Sequence, residues 1–323
     1  MGQKKGKLGC HGSMCLMEEA RVVMRHVPKV NSLGPPETSR ALGEHARRVL
    51  LARWTTLLHY RAACLVHDDV DTVHDLRVAT RRMRAALDLF RTCLPGDDID
   101  AAYGQVRRLT RGVGRLRDVD EALLFFGQIA TEYVTKSRMF AGLLRHLGER
   151  RSRESKRVRK RLKRFPTDEI GTGVVRLGDA LAAGDMERAT RRHAPTLTGY
   201  FFACSIRLFD SIEQLQALAG PEEHVTQRHA LRIAIKRWRY FMEICGDVFG
   251  VDYRLLLEQL KEYQTLLGHL NDLAVFAALA DECGLSDEER RLLVPLAALQ
   301  SKEYLLRFAA LSAEHPLRYE FRI

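Results

Sequence analysis

Several features that would indicate a membrane-spanning or secreted protein are missing from this sequence. No stretch of about 18 uninterrupted apolar residues occurs, so we expect no membrane span. The N-terminus has no apolar run suited to a signal peptide. The seven cysteines are odd in number and irregularly spaced, which argues against a disulfide framework and favours reduced thiols in a cytoplasm. Cys10, His11 and Cys15 lack a second ligand pair, so we expect no metal site there.

Alternating strand patterns are also scarce, the sequence has no glycine-rich phosphate loop, and we expect no bound cofactor. Apolar residues instead recur at helical spacing after Pro36, and this periodicity predicts an all-α fold. Thr38 and Ser39 are predicted to cap the first helix, and Thr72 with Asp75 has the spacing of a capping box. Further helices are predicted over about 98–115, 118–134, 137–164, 168–184, 195–219, 224–247, 252–270, 272–283 and 286–313.

The chain divides into a short arm and a long helical region. Residues 1–37 contain lysines and glycines and end close to two prolines, which predicts a flexible basic arm. A chain of 323 residues can bury one broad core or two cores in halves of about 150 residues. We predict one domain over 38–318, with halves at about 38–165 and 168–318.

Positive charge is in excess, with 52 lysines and arginines against 41 aspartates and glutamates and a net charge of +11. Such a surface attracts polyanions, among them nucleic acid, anionic membranes and polyphosphate. Residues 150–164 alone contain ten lysines and arginines. This segment is either a solvated helix between the halves or an additional wall of an anion site. The candidate secondary anion contacts are Arg117, Arg157, Lys160 and Arg161.

The most informative feature is a repeat at a spacing of 155 residues. The segment HDLRVATRRMRAALDLF begins at His74, and the segment HALRIAIKRWRYFMEIC begins at His229. Six of the 17 positions are identical, and several others are similar in type. Similarity at this density within one chain predicts the duplication of a half-domain.

Helical geometry assigns the residues of each segment to two faces, since successive residues rotate by about 100°. The polar face carries cations and a histidine in both copies, namely His74, Arg77, Arg81 and Arg84 in one and His229, Arg232, Lys236 and Arg239 in the other. The opposite face is apolar, with Leu76, Ala79, Met83, Leu87 and Phe90 in one copy and Leu231, Ala234, Trp238 and Met242 in the other. Each segment should therefore bury one side and present a cationic stripe on the other.

A shorter pair of segments supports the duplication. Gly114-Arg115-Leu116-Arg117-Asp118-Val119 and Gly268-His269-Leu270-Asn271-Asp272-Leu273 are 154 residues apart. We expect Asp118 and Asp272 to begin or cap the next helix, or to orient a motif cation through an ion pair.

The paired His-x-x-Arg helices, each followed by such an Asp-containing segment, resemble the CHAD family, the conserved histidine α-helical domains. The resemblance covers roughly residues 38–318. It implies two helical bundles related by an internal pseudo-twofold axis around a basic central cavity. It also implies binding of inorganic polyphosphate and association with polyphosphate granules in the cytoplasm. The implied binding residues are His74, Arg77, Arg81, Arg82 and Arg84, with His229, Arg232, Lys236, Arg237 and Arg239 in the second copy.

The inclusion of Arg82 and Arg237 depends on the resemblance, because both residues lie off the stripe on the helical wheel. Members of the family often carry a triphosphate-tunnel hydrolase domain with the motif Glu-x-Glu-x-Lys, which this chain lacks. In addition, Asn271 stands where the first copy has Arg117, so strict twofold chemistry is not expected.

Nucleic-acid binding is the second candidate function, because it depends on the same positive charge. Proteins that read RNA usually offer aromatic side chains on which bases stack. Aromatic residues make up only 7% of this sequence. On the motif helices Phe90 and Trp238 fall on the apolar side, and Tyr240 alone comes near the basic face.

An enzyme that metabolises polyphosphate is the third candidate, and we expect the protein not to be an enzyme. Phosphoryl transfer normally needs a metal held by carboxylates and a positioned nucleophile. The motif stripes are almost purely cationic. Asp88 and Glu243 follow them by one turn, and each is placed to pair with Arg84 or Arg239 at i, i+4.

Overall fold

The computed structural model describes residues 39–91, 96–132, 140–182, 196–249 and 254–317. Over these ranges it contains nine α-helices and no strand, which confirms the predicted all-α fold. The helices are α1 Ser39–Val66, α2 Val70–Phe90, α3 Gly96–Glu132, α4 Ala141–Lys163, α5 Thr167–Ala182, α6 Leu197–Leu218, α7 Val225–Phe249, α8 Arg254–Glu282 and α9 Asp287–Glu314. The predicted arm at 1–37, with Cys10, His11 and Cys15, lies outside the described residues.

Two predicted helix breaks are wrong. The helices predicted over 98–115 and 118–134 are one helix, α3, and those predicted over 252–270 and 272–283 are one helix, α8. A glycine inside a helix costs only about 1 kcal/mol relative to alanine. Burial of the helix flanks outweighs that cost: Leu116 and Val119, which follow Gly114, are almost fully buried. The interruption that glycine suggests is therefore overridden by packing.

The predicted capping box of Thr72 and Asp75 is also wrong. The N-cap of α2 is Asp69, whose carboxylate accepts hydrogen bonds from the backbone amides of Asp71 and Thr72. This capping holds the pKa of Asp69 below its usual range. An aspartate satisfies the exposed amides and also carries the charge that a helix N-terminus favours. The motif helix therefore starts one turn earlier than the His74 motif.

The order of helices brings the two motif helices into contact. In the first part of the chain α1 packs on α2, α2 on α3 and α3 on α4, while α6, α7, α8 and α9 pack successively in the second. Helix α5 covers α1 and α3. The two parts meet where α2 packs against α7 and where α3 packs against α8. Since α2 and α7 carry the two histidine motifs, the fold places the motifs side by side.

Two apolar clusters follow one another along α3. The larger cluster contains the buried faces of α1, α2, α6 and α7, together with the first half of α3. The smaller one joins the ends of α3 and α8 to the start of α4 and α9, with the rings of Phe125 and Phe276 only 4.9 Å apart. Leu116 belongs to the larger cluster and Val119 to the smaller one, so Asp118 lies between them. Among the described helices, none is both long and apolar enough to cross a bilayer.

Candidate anion-binding site

The two predicted faces of the motif helices are confirmed. The residues predicted for the apolar face of α2 are at most 2% exposed, and those predicted for the apolar face of α7 are at most 7% exposed. The cationic residues on the other face are only partly buried. Each motif helix thus anchors one side in the core and leaves a row of cations at the surface where α2 meets α7.

Four cations from the two helices come together there, Arg77 and Arg81 from α2 and Arg232 and Lys236 from α7. We call these four residues the central cationic cluster. Their proximity is visible in their mutual electrostatic influence, because the charge of each arginine disfavours the charge of the other arginines or of Lys236. The stripes predicted separately from the two motifs therefore meet in the folded chain.

Burial, and then the charge of neighbouring cations, lowers the pKa values of Arg81, Arg232 and Lys236. Burial is the largest cause and lowers the pKa of Lys236 to about 6, with Arg81, Arg232 and Arg77 adding repulsion. The pKa of Arg81 falls to about 10, again through burial first, so its guanidinium stays charged at neutral pH. Lys236 is consequently mostly neutral at neutral pH.

Two carboxylates lie against the cluster. Asp272 on α8 forms an ion pair with Arg232, with 3.8 Å between Oδ1 of the aspartate and Nη2 of the arginine. On α3, burial raises the pKa of the Asp118 carboxyl, while Arg77 opposes that rise. The expectation that these aspartates begin new helices is wrong, since both lie inside continuous helices. The alternative expectation, an ion pair that orients a motif cation, is confirmed for Asp272.

Helix α3 approaches the cluster closely at Gly114. A Cβ atom at that position would lie 3.8 Å from Nε of Arg77, so the guanidinium rests against the backbone of α3. On the other side of the cluster the ring of Tyr240 faces two cations, with Arg81 at 5.7 Å and Arg239 at 5.5 Å from its centroid. Such contacts favour the charged guanidinium and hold it in place.

The histidines begin the two stripes and have different neighbours. His229 is hydrogen-bonded through Nδ1 to Oδ1 of Asn271 at 2.8 Å, and the amide of Asn271 donates to Asp272 at 3.2 Å. His74 instead lies near Arg117, and its pKa is lowered by burial and then by this positive charge. Arg117 itself is paired with Glu121 one turn along α3. Burial and the charge of Arg117 therefore both oppose protonation of His74.

The far end of the stripes is organised by Glu243. Arg82 binds this carboxylate with two hydrogen bonds, of 2.8 and 3.1 Å, and Arg53 lies 3.6 Å from it. The pair predicted between Glu243 and Arg239 is present at 3.8 Å. Arg239 also donates a hydrogen bond of 2.9 Å to Gln264. Glu243 thus ties three arginines from three helices together.

The remaining predicted residues lie at different distances from the cluster. Arg84 is half-buried and close enough to Arg81 to lower its pKa. Arg237 is exposed and borders a separate depression beside α6, where Asp88 and Arg207 also lie. Arg82 and Arg237 are therefore both off the stripe, as the helical wheel predicts.

The basic segment 150–164 forms the second half of α4 and lies on another side of α3. Arg157 is paired with Glu154, Lys160 is exposed, and Arg161 packs over Gly112 of α3. Gly112 and Gly114 are two residues apart, which places them on nearly opposite sides of the helix. The body of α3 thus separates Arg161 from Arg77 in the central cationic cluster.

Three residues at the cluster were not among the predicted binding residues: Asp118, Asp272 and Tyr240. The two aspartates were expected to begin or cap a helix, or to orient a motif cation through an ion pair, and a glycine precedes each of them by four residues. On an uninterrupted helix that spacing puts glycine and aspartate on the same side, about 40° apart. This regularity is the signal that would have placed both aspartates at the cluster.

The fold and this site together define an all-α protein in which two similar helices join their cationic faces. The family model for the CHAD domain matches residues 44–281, and the chain belongs to that family. No match was found among curated proteins.

Solved structures show the same fold. The CHAD domain from the plant Ricinus communis is 23% identical, with a TM-score of 0.58 over 90% of this chain and 93% of that one. PptA from Streptomyces chartreusis is 15% identical, with a TM-score of 0.61 over 86% of this chain and 100% of that one. At these identities the likeness concerns the fold.

Proposed function

We propose that this protein binds inorganic polyphosphate without catalysing a reaction on it, and that the central cationic cluster is the binding site. The observation that carries the proposal is the meeting of Arg77, Arg81, Arg232 and Lys236, contributed equally by two helices. Like charges brought together and partly buried are unfavourable unless a partner of opposite charge normally accompanies them. Membership in the CHAD family supports polyphosphate as that partner.

Free hydrogen-bond capacity supports the same ligand class. Among the guanidinium nitrogens of the described residues, Nη1 of Arg117, Nε of Arg232 and Nε of Arg239 are buried without a hydrogen-bond acceptor. Guanidinium groups bind phosphate oxygens in pairs, which matches the repeated oxygens of a linear phosphate chain. Arg84 and Arg239 continue the two stripes beyond the cluster, and His74 and His229 begin them. We assign these eight positions to the binding site, with four from each motif.

Arg82 and Arg237 have lesser roles in this proposal. Arg82 is engaged by Glu243 and holds α2 against α7, so it supports the site through its position. Arg237 borders the depression beside α6 and contributes general positive potential. The repeat suggests that the two halves arose by duplication. In this proposal the two halves contact the polyphosphate from opposite sides of a central cavity.

The aspartates do not favour an enzyme. Asp272 is paired with Arg232, and Asp118 lies under the influence of Arg77. Phosphoryl transfer usually depends on carboxylates that hold a metal. Within the described part of the chain, no group of three or more histidines, cysteines and carboxylates is arranged to hold one. Binding of an anion by the surrounding arginines is the simpler use of this site.

Nucleic acid is a poorer fit than polyphosphate. Base stacking needs exposed aromatic faces. Phe90, Trp238 and Tyr240 on the motif helices are at most 6% exposed, so none offers such a face. We therefore propose a cytoplasmic protein whose ligand is a phosphate chain without bases, and whose place is on polyphosphate granules where a cell stores them.

Replacement of the four cluster residues by glutamine tests the proposal. Arg77→Gln, Arg81→Gln, Arg232→Gln and Lys236→Gln remove the charge and leave amide donors for Asp118 and Asp272. We expect affinity for polyphosphate to fall at least about 100-fold, since each charge-assisted contact contributes about 1.5–3 kcal/mol. The measurement is titration with end-labelled polyphosphate at fixed salt, with circular dichroism to verify helix content.

A control variant replaces the same number of basic residues elsewhere by glutamine, at exposed Arg145, Arg291, Lys302 and Arg307. It should bind within about threefold of the parent, because distant exposed charges are screened by salt. Equal losses in both variants would show that net charge alone attracts the ligand. RNA that displaces polyphosphate at equal phosphate concentration would show that the ligand is nucleic acid.

A further inference from the structure

Helix α3 connects the central cationic cluster to the basic half of α4. On one side its Gly114 lies against Arg77 of the cluster, and on the other its Gly112 is covered by Arg161 of α4. Because each residue turns the helix by about 100°, the two glycines are about 160° apart around the axis. Any continuous surface between the cluster and α4 must pass over the exposed side of α3.

That exposed side is occupied by arginine. In order around the helix from the Gly114 side to the Gly112 side, the residues are Arg107, Arg111, Arg115 and Arg108. All four are exposed, and neighbours in this order are separated by about 20–40°. They span about 12 Å along the axis at 1.5 Å per residue. We call these four residues the α3 arginine band.

The α3 arginine band continues onto α4. Nε of Arg115 lies 3.5 Å from Oε2 of Glu154, and Arg157 pairs with the other oxygen of the same carboxylate. Glu154 is buried, with 6% of its side chain exposed, and its single charge is shared by two arginines. Lys160 and Arg161 add further positive charge beside it. The surface therefore keeps an excess of positive charge across the junction of α3 and α4.

The second half of the chain has no equivalent surface among the corresponding residues. At a spacing of 154 residues, the positions of Arg107, Arg108, Arg111 and Arg115 are taken by Lys261, Glu262, Thr265 and His269. At the same spacing, residues 150–164 contain ten basic residues and one acidic residue, whereas residues 304–318 contain two basic residues and one acidic residue. A basic path out of the cluster is thus present over α3 and absent over α8.

We propose that the α3 arginine band is a second polyphosphate subsite, which holds the part of a long chain that extends beyond the central cationic cluster towards α4. This inference rests on the proposed function of the cluster and adds a direction and a chain-length preference to it. A short phosphate chain is fully bound within the cluster. A long one gains the additional contacts on α3, and its charge relieves the repulsion between arginines that neighbour one another on that helix.

The test compares a short and a long ligand on the variant Arg107→Gln with Arg111→Gln. Both residues are exposed and glutamine is a good helix former, so the fold should not change. Affinity for inorganic tripolyphosphate should stay within about twofold, while affinity for chains of about 100 phosphates should fall about tenfold. For long chains, the slope of log affinity against log salt concentration should become shallower by about 0.7 per lost contact. This is the value known for single-stranded nucleic acid.

A matched control, Arg291→Gln with Lys302→Gln, removes the same charge from exposed positions on α9. The inference is overturned if long-chain affinity falls no more in the α3 variant than in this control. It is also overturned if tripolyphosphate and long chains weaken equally, because the band would then belong to the cluster. A selective loss of RNA binding with unchanged polyphosphate binding would assign the band to nucleic acid instead.

The cluster variant with four glutamines separates the two proposals. If that variant still binds tripolyphosphate like the parent, the proposed function of the cluster fails, whatever the α3 variant does. If it loses tripolyphosphate binding and the α3 variant behaves like the control, only the inference about α3 fails.

Discussion

The two motif helices carry the same sequence pattern in different surroundings. In the first half His74 has the cation Arg117 nearby, whereas in the second half His229 is hydrogen-bonded to the neutral Asn271. The third position of the stripe is Arg81 in one half and Lys236 in the other. Similar helices therefore contribute similar charges, while their neighbours determine how readily each group is protonated.

The surfaces next to the motif helices differ more than the motifs do. Helix α3 exposes the α3 arginine band, and the matching positions of α8 include a threonine and a glutamate. A site with charged neighbours on one side only can hold a long ligand in a preferred direction. The motifs therefore give both halves similar charges, and the flanking helices make the two halves unequal.

The largest difference that we expect between the halves is a pH dependence contributed by Lys236. Its pKa of about 6 means that about 1% is charged at pH 8 and about half at pH 6. Binding of an anion favours the charged form, so affinity for polyphosphate should rise about 10–50-fold as the pH falls from 8 to 6. Below about pH 5 the gain should level off, because the lysine is then almost fully charged. Titrations across this pH range measure the effect.

The variant Lys236→Arg makes the second half match the first. Arginine stays charged throughout this range, so the rise in affinity should shrink to about threefold or less, with the histidines responsible for what is left. The groups that surround Lys236 most closely, Arg77, Arg81, Arg232 and Asp272, are unchanged in this variant. A parent-like pH profile for Lys236→Arg would contradict the role of this lysine.

A smaller contrast concerns the stability contributed by the equivalent residues Arg82 and Arg237. Arg82→Ala removes two hydrogen bonds from the partly buried Glu243, which should lower the free energy of unfolding by about 1–3 kcal/mol. Arg237→Ala removes an exposed side chain and should change it by less than about 0.5 kcal/mol. Urea denaturation of both variants measures the difference. Equal effects would show that the contact with Glu243 does not stabilise the joint between α2 and α7.

The smallest expected effect concerns the histidines. Arg117→Asn gives the first half the residue that the second half has at this position. Removal of the nearby positive charge should raise the pKa of His74, although burial is the larger cause of its depression and will keep it below the usual value. Histidine titration by NMR measures the change, with His229 as an internal reference. An unaltered pKa at His74 would mean that Arg117 is too well screened to influence it.

Much of the fold could be predicted because helical periodicity is a local property. The apolar faces of the motif helices were predicted residue by residue, and Leu76, Met83 and Leu231 are fully buried. Helix ends and breaks were predicted less well. Asp69 replaced Thr72 as the cap of α2, and the glycines before Asp118 and Asp272 did not interrupt their helices.

These errors have a common physical reason. A glycine or a capping residue shifts helix stability by about 1 kcal/mol, and the burial of neighbouring apolar residues contributes as much or more. A glycine or a capping residue therefore determines where a helix ends only where burial does not favour one of the alternatives. At Gly114 burial favours a continuous helix, because Leu116 is buried in the larger apolar cluster and Val119 in the smaller one.

The sequence by itself determined that the chain is helical, that it carries two copies of one motif, and that each copy has a cationic face opposite an apolar one. These properties follow from the order of residues along single helices. Only the tertiary structure decided that α2 and α7 bring Arg77, Arg81, Arg232 and Lys236 together, and that Arg82 turns to Glu243 instead. Charge density and burial depend on residues far apart in the chain, and folding is what makes them neighbours.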